Sequence, residues 1–248
     1  MISISCISDT HGLHDKMKHS VGTGNILVHA GDLTNIGKRA DVESIIAFFH
    51  RQLDNFDDVV FIAGNHDLSY DPCFGETNKG RFVRHYANNQ DIVTHELEKP
   101  EWLIDLLGSM DKRIHYLENS SKTIQGKLFH GSPMTPDFFK EYWAFNAARG
   151  HEIRNYWSMI PKNVDVLITH GPAKGILDLL ENGIDHVGCE ELEYAINYEL
   201  NNLKLHVFGH IHHPHGKYTN DHLGTTFVNA SICTEEYAPT NMPMQVHL

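Results

Sequence analysis

Five short apolar runs in this 248-residue chain end in a glycine that adjoins an aspartate, asparagine or histidine. Ile2 to Ser8 leads into Asp9-Thr10-His11-Gly12, and Asn25 to Ala30 into Gly31-Asp32-Leu33-Thr34. Val59 to Ala63 leads into Gly64-Asn65-His66-Asp67. Val164 to Thr169 leads into His170-Gly171-Pro172, and Leu203 to Phe208 into Gly209-His210-Ile211-His212. Short apolar runs closed by turn residues read as buried strands. Between the second and third runs, Val42, Ile45, Ile46, Phe49 and Leu53 fall on one helical stripe, which predicts a helix over Lys38 to Phe56. Strand, strand, helix, strand is an α/β pattern. Open α/β sheets collect ligands beyond the carboxyl ends of their strands, so the polar termini are expected to converge along one edge.

The residue types at that edge point to metal chemistry. Side chains two apart on an extended segment face the same way, so Asp9 pairs with His11, and His210 with His212. Two aspartates, one asparagine and four histidines (Asp9, His11, Asp32, Asn65, His170, His210, His212) make a mixed nitrogen and oxygen donor set. Such a set suits manganese, iron or zinc better than calcium. It is too large for one ion, whereas two ions ~3.5–4 Å apart sharing a carboxylate would use all of it. A single histidine in such a turn is ordinarily a solvated or core residue. His29 and His206, inside strands, read as core, and His213 and His215 as loop residues. The argument rests on the recurrence at five strand ends.

Composition narrows the partners. The formal net charge of -12 leaves few cations to replace the counterions of a nucleic-acid backbone. Cys6, Cys73, Cys189 and Cys233 are scattered and form no CxxC, which argues against a disulfide framework and a cysteine zinc site. The chain reads as reduced and cytoplasmic, with no signal peptide. No apolar run approaches the ~20 residues of a membrane span. Without a repeat or a linker, residues 1–248 are expected to form a single domain.

Elsewhere the pattern is less regular. Ser69 to Lys99 reads as a long polar loop leading to a helix near Ile92 to Leu107. Ile114–Leu117, Lys122–Gln125 and Lys127–His130 read as short strands, with Gly131 to Pro136 as a loop. Phe138 to Ala148 is expected to mix helix and aromatic loop. Its Tyr142, Trp143 and Phe145 either stack a nucleobase or belong to the core, and Phe145 is taken as a candidate substrate contact. His151–Met159 and Cys189–Leu200 read as helices. Lys217–Thr219, Thr225–Asn229 and Met244–Leu248 read as closing strands.

The ordered motifs Asp9-x-His11, Gly31-Asp32, Gly64-Asn65-His66-Asp67, His170 and Gly209-His210-x-His212 resemble the five motifs of the calcineurin-like metallophosphoesterase superfamily. Gly131-Ser132-Pro133, Trp143-Ala144-Phe145-Asn146, Asp165 to Pro172, Gly188 to Leu192 and Phe227 to Ser231 resemble the narrower MPPED-type phosphoesterases. The resemblance implies a four-layer αββα sandwich, two mixed sheets face to face with helices outside and the metals at one edge. It implies one metal on Asp9, His11, Asp32 and His212, and a second on Asp32, Asn65, His170 and His210. His66 would be the catalytic histidine, with Asn65, His66 and His210 touching substrate. Some animal members of the narrower group lack the first histidine of the last motif and are feeble catalysts. This chain keeps His210, which argues for an active enzyme.

The expected activity is hydrolysis of small phosphodiesters, such as cyclic nucleotides or related nucleotide esters. Manganese or iron are the leading metals, with zinc, nickel, cobalt or magnesium as substitutes. A hydroxide between the ions attacks phosphorus in line, and His66 protonates the leaving oxygen. Asp67 either orients His66 or caps its turn. The competing reading is a nucleotide-binding regulatory module with weak hydrolysis. A DNA-repair nuclease subunit fits poorly, because no basic stripe is present. A small phosphoester or nucleotide is the expected partner of a monomer or homodimer, with no membrane involved.

Overall fold

The computed structural model describes residues 1–74, 99–138 and 143–248. In chain order its strands begin with β1 (Ser3–Ile7), β2 (Gly24–Ala30), β3 (Phe56–Ile62), β4 (Ile114–Tyr116), β5 (Ser120–Ile124) and β6 (Lys127–Ser132). They continue with β7 (Thr135–Pro136), β8 (Asn146–Ala147), β9 (Val166–Thr169), β10 (Leu205–Phe208), β11 (Gly216–Asn220), β12 (Thr225–Asn229) and β13 (Met244–His247). The helices are α1 (Arg39–Gln52), α2 (Glu101–Gly108), α3 (His151–Trp157) and α4 (Glu190–Tyr198).

Side-chain alternation sorts these elements into layers. One sheet has the order β13-β1-β2-β3-β4, parallel except at β13. The other has the order β11-β12-β10-β9-β6-β5, antiparallel at both outer pairs. Ile4, Cys6, Ile26, Val28, Val60 and Ile62 of the first sheet share a buried core with Phe129, Val166, Ile168, Leu205, Val207 and Val228 of the second. These residues sit two apart on their strands, as one face of a pleated strand requires. The opposite faces carry Leu27, Val59 and Phe61 on one sheet and Leu167, Phe208 and Phe227 on the other. They join the outer core with Val42, Ile45, Ile46 and Phe49 of α1 and Leu192, Ala195 and Ile196 of α4. Phe49 of α1 meets Phe61 of β3 with ring centroids 4.9 Å apart. The result is the αββα sandwich that the motifs imply.

Three sequence expectations change. The helix foreseen from Ile92 starts among the described residues at Glu101, just after Pro100, which has no N–H to extend a helix backwards; residues 92–98 lie outside the described residues. Gly131 and Ser132 prolong β6 rather than forming a loop. The described part of Phe138 to Ala148 contains no helix. Its β8 pairs with β7, and Phe145 has φ +54°, which a helix cannot accommodate. Tyr142 lies outside the described residues. Among the described residues, no helix is long and apolar enough to cross a membrane.

The two sheets meet at the edge where β1, β2, β3, β9 and β10 end. Ser8 bridges to Ser231, and the Ile232 N–H donates to the Ser8 carbonyl at 2.8 Å. Behind this edge lie His29 and His206, both fully buried. Each has its Nε2 beside a threonine hydroxyl, Thr10 at 2.9 Å and Thr169 at 2.7 Å. Each hydroxyl donates to a carbonyl, Leu33 and Gly171 respectively, so the imidazole N–H must donate to the threonine. The Nδ1 of each ring has no partner among the described residues.

Burial pushes both imidazoles down to about 3. The unfolded rings titrate near the ordinary histidine value, so the unfolded state binds more protons at mildly acid pH. Stability therefore falls as pH drops from the ordinary value toward 3, at about 1.4 kcal/mol per pH unit for each ring. Urea unfolding should show the two together removing about 4 kcal/mol between pH 7 and pH 5. His206→Gln, which cannot take the proton, should remove about half of that slope.

Candidate metal centre

Backbone conformation, more than strand alternation, brings the ligand-type residues together. Asp9, His11, Asp32 and His210 have φ of +52°, +44°, +53° and +69°. Left-handed backbone costs a residue with a Cβ about 1–2 kcal/mol, and such strain collects at functional sites. Here it is held by neighbouring bonds. The Asp9 N–H donates to the Gly31 carbonyl at 2.9 Å, and the His11 N–H to the Asp32 carbonyl at 3.0 Å. The His210 N–H donates to the Asp9 carboxylate at 3.0 Å. The segments after β1 and β10 turn sharply, and the pairs Asp9 with His11 and His210 with His212 meet through those turns.

Three groups of ligand atoms each lie within 4.8 Å of one another: Asp9, His11 and His212; His11, Asp32 and His66; Asp32, His170 and His210. Asp32 links them, with Oδ1 3.3 Å from His170 Nε2 and Oδ2 3.8 Å from His11 Nε2. His212 Nε2 lies 3.5 Å from Asp9 Oδ1 and 3.3 Å from His11 Nε2. Asn65 Oδ1 is 2.9 Å from His170 Nε2. All seven residues expected as ligands thus come to one place, and His66 joins them.

The donor set fits cations. His170 Nδ1 donates to the Ala30 carbonyl at 3.0 Å and His212 Nδ1 to the Thr234 carbonyl at 2.9 Å. Those bonds fix the tautomers and leave His170 Nε2 facing the oxygens of Asp32 and Asn65, and His212 Nε2 facing Asp9 and His11. A positive charge is what both positions lack, and in the bare protein a proton supplies it. For His170, burial opposes that proton, but the charge and hydrogen bond of Asp32 more than offset it and lift the ring to about 9. For His212, burial is outweighed by the hydrogen bond and charge of Asp9, and the ring again reaches about 9. Burial holds His11 at about 4 and His210 at about 3, both neutral and able to coordinate. Burial also works against the charge on Asp9, yet His212 and His170 keep its carboxyl low. His170, His66 and His11 do the same for Asp32.

His66 is held from three sides. Its Nδ1 donates to the Asn35 carbonyl at 2.8 Å, and its backbone N–H donates to Asp32 Oδ1 at 2.9 Å. Trp143 lies against its ring at 4.1 Å between centroids, and His11 meets it edge-on at 4.7 Å. Nε2 is left free. Asp67 does not orient this ring. Its carboxylate accepts from the N–H groups of Gly64, Leu33 and Thr34 and from the Thr34 hydroxyl, tying the turn after β2 to the turn after β3. Burial and the charge of Asp32 push its carboxyl up to about 7, and those donors pull it back.

A cavity of about 230 Å³ lies over the cluster, lined by Asp32, Asn65, His66 and His210 among others. Trp143 lines it and Phe145 does not. Phe145 is packed in the outer core, because its φ and the bond from its N–H to Asp71 turn it inward. Tyr237, half-exposed and unremarked in the sequence, completes the wall, its ring 4.7 Å from His11 and 5.4 Å from His212. Ser231 was also unforeseen as a contact; its hydroxyl donates to Asp9 Oδ2 at 2.8 Å. The Phe227 to Ser231 motif was the only signal for it.

Fold and site together define a metallophosphoesterase. The chain belongs to the calcineurin-like phosphoesterase family, whose family model matches residues 2–214. It is 34% identical over 245 residues to the Metallophosphoesterase domain-containing protein 1 of Homo sapiens, covering 98% of this chain and 70% of that protein. It is 31% identical over 239 residues to a UPF0046 protein of Caenorhabditis elegans, covering 96% of this chain and 58% of that protein. Among solved structures it is similar to a putative 5′-nucleotidase from Staphylococcus aureus, at 13% identity and TM-score 0.46, over 92% of this chain and 48% of that one. The family works on phosphoric esters with two metals, and the His/Asp clusters could hold such ions.

Proposed function

We propose that this chain hydrolyses small phosphodiesters, such as cyclic nucleotides or related nucleotide esters, with two divalent transition metals and His66 as general acid. Asp9, His11, Asp32 and His212 would hold one ion, and Asp32, Asn65, His170 and His210 the other. Manganese or iron suits this nitrogen and oxygen set. Two such ions, when bound, neutralise phosphate charge and lower the pKa of the attacking water. The observation that carries the reading is the position of Asp32, whose carboxylate belongs to two of the three clusters and faces His11 of the third. The chain's own residues do the rest. Asn65 and His210 line the cavity where phosphate oxygens would sit. The bond to the Asn35 carbonyl keeps a proton on His66 Nδ1, so Nε2 is the atom that carries a proton to the leaving oxygen. Trp143 and Tyr237 narrow the mouth and limit water around it. The buried thiols Cys6, Cys189 and Cys233 are consistent with a cytoplasmic setting.

His66→Asn tests the acid. An alkyl phosphodiester needs its leaving oxygen protonated and should lose about 10²–10⁴-fold in kcat, while a p-nitrophenyl diester should lose far less. Metal content, read by atomic spectrometry, should remain at both ions. Full turnover on the alkyl ester would remove His66 from the acid role. Loss of an ion would make it a ligand. Wild-type protein that binds both ions yet turns over neither ester would be a nucleotide-binding module instead.

A further inference from the structure

A second cavity, of about 620 Å³, opens beside the first and shares Phe138, His210 and Glu235 with it. Phe138 stands edge-on to His210 with centroids 5.0 Å apart, so one ring borders both spaces. Beyond it the walls are apolar, with Pro136, Pro172, Leu180, Val187 and Ile211. An ester group that stays on phosphorus and extends to the His210 side has this groove before it.

The charges in the groove are unbalanced. Asp137 and Glu235 contribute two carboxylates. Asp137 Oδ1 is buried and has no hydrogen-bond partner among the described residues. Glu235 Oε1 accepts the His213 N–H at 3.0 Å, which leaves its other oxygen. Among the described residues of the lining Arg149 is the one cationic side chain, and it faces Glu190, a carboxylate that also pairs with Lys174. Arg149 also donates to the carbonyls of Gly188 at 2.8 Å and Val187 at 2.7 Å. Apolar walls, an aromatic ring and unanswered carboxylates together suit a bulky, weakly hydrated organic cation.

We propose that this groove is the subsite for the ester group retained on phosphorus, and that it selects a quaternary-ammonium alkyl group over a neutral or anionic one. This rests on the phosphodiesterase reading above. A neutral group of the same shape would bury the same area but leave the carboxylates unanswered, and an anionic one would be repelled by them.

Two chromogenic diesters with one leaving group separate charge from shape. One is p-nitrophenyl phosphocholine; the other is p-nitrophenyl tert-butylethyl phosphate, in which carbon replaces the charged nitrogen. On the metal-loaded protein the kcat/KM ratio should favour the choline ester by about tenfold. Asp137→Asn should bring that ratio close to parity, and Val187→Lys, which places a cation on the wall, should reverse it. Each ratio is taken within one variant, so a general loss of activity cancels. Titration calorimetry with phosphocholine and with tert-butylethyl phosphate should show the same preference in binding. Equal kcat/KM in the wild type, with both diesters turned over, overturns the subsite and leaves the phosphodiesterase reading standing. No turnover of either diester or of bis(p-nitrophenyl) phosphate with any divalent ion overturns the phosphodiesterase reading, and the calorimetric preference then decides the subsite alone.

Discussion

Asp32→Ala abolishes turnover, by on the order of 10³-fold or more, and strips both ions from the protein. Its carboxylate stands between histidines from two sides of the site. The Asp32 carboxylate faces His170 at 3.3 Å and His11 at 3.8 Å, and it accepts the backbone N–H of His66 at 2.9 Å. Removing it leaves two groups of histidines without their common anion and frees the turn that aims His66. Atomic spectrometry and steady-state kinetics on the purified variant read the result, with circular dichroism to confirm the fold. A variant that kept one ion and partial activity would show that a different group joins the halves.

Gly209→Ala should be nearly as damaging, without touching a ligand. A Cβ on Gly209 would lie 1.9 Å from Asp9 Oδ2 and 2.3 Å from Ser8 Oγ. Asp9 has no room to yield, because Ser231 holds Oδ2 at 2.8 Å and the His210 N–H holds both oxygens. The same holds at Gly64, whose Cβ would meet Asp32 Oδ1 at 2.3 Å. Loss of about 3 kcal/mol or more in unfolding free energy, with loss of activity, is the expected outcome of Gly209→Ala. Gly108→Ala, at a helix end with nothing within 4 Å of the added carbon, is the control and should melt near the wild type. Equal melting of both variants would mean that the ligand loop is soft.

These two variants also mark what local sequence could and could not reveal. The strand ends were legible because an apolar run and a Gly beside Asp, Asn or His are both local signals. Helix α1 was legible from the stripe of Val42, Ile45, Ile46 and Phe49. The residues that brace the site were not. Ser231 meets Asp9 across 222 positions, and the Phe227 to Ser231 motif marks the residue without saying what it meets. Trp143 was weighed as a base-stacking ring, yet its partner in the fold is His66. Phe145, two residues on, turns into the core on a left-handed backbone that a non-glycine residue does not advertise. His29 and His206 do lie inside strands, but their threonine partners come from other parts of the chain, Thr10 from the turn after β1 and Thr169 from the end of β9. Tyr237, also left-handed, gave no signal at all.

The first strand takes its antiparallel neighbour from residues 244–247, and the first ligand turn is braced by residue 231. During synthesis, then, Asp9, His11, Asp32, Asn65 and His66 emerge long before the groups that complete them. Contacts this remote in sequence form slowly, because a long loop must close before they reward the chain. Until that closure the early half holds an unfinished sheet and half of the candidate ligand set. The candidate metal centre is therefore expected to form late in folding rather than to nucleate it. An ion held there would fasten the turn after β1 to the turn after β10, so that loading and completion of the fold would become one event on the time axis.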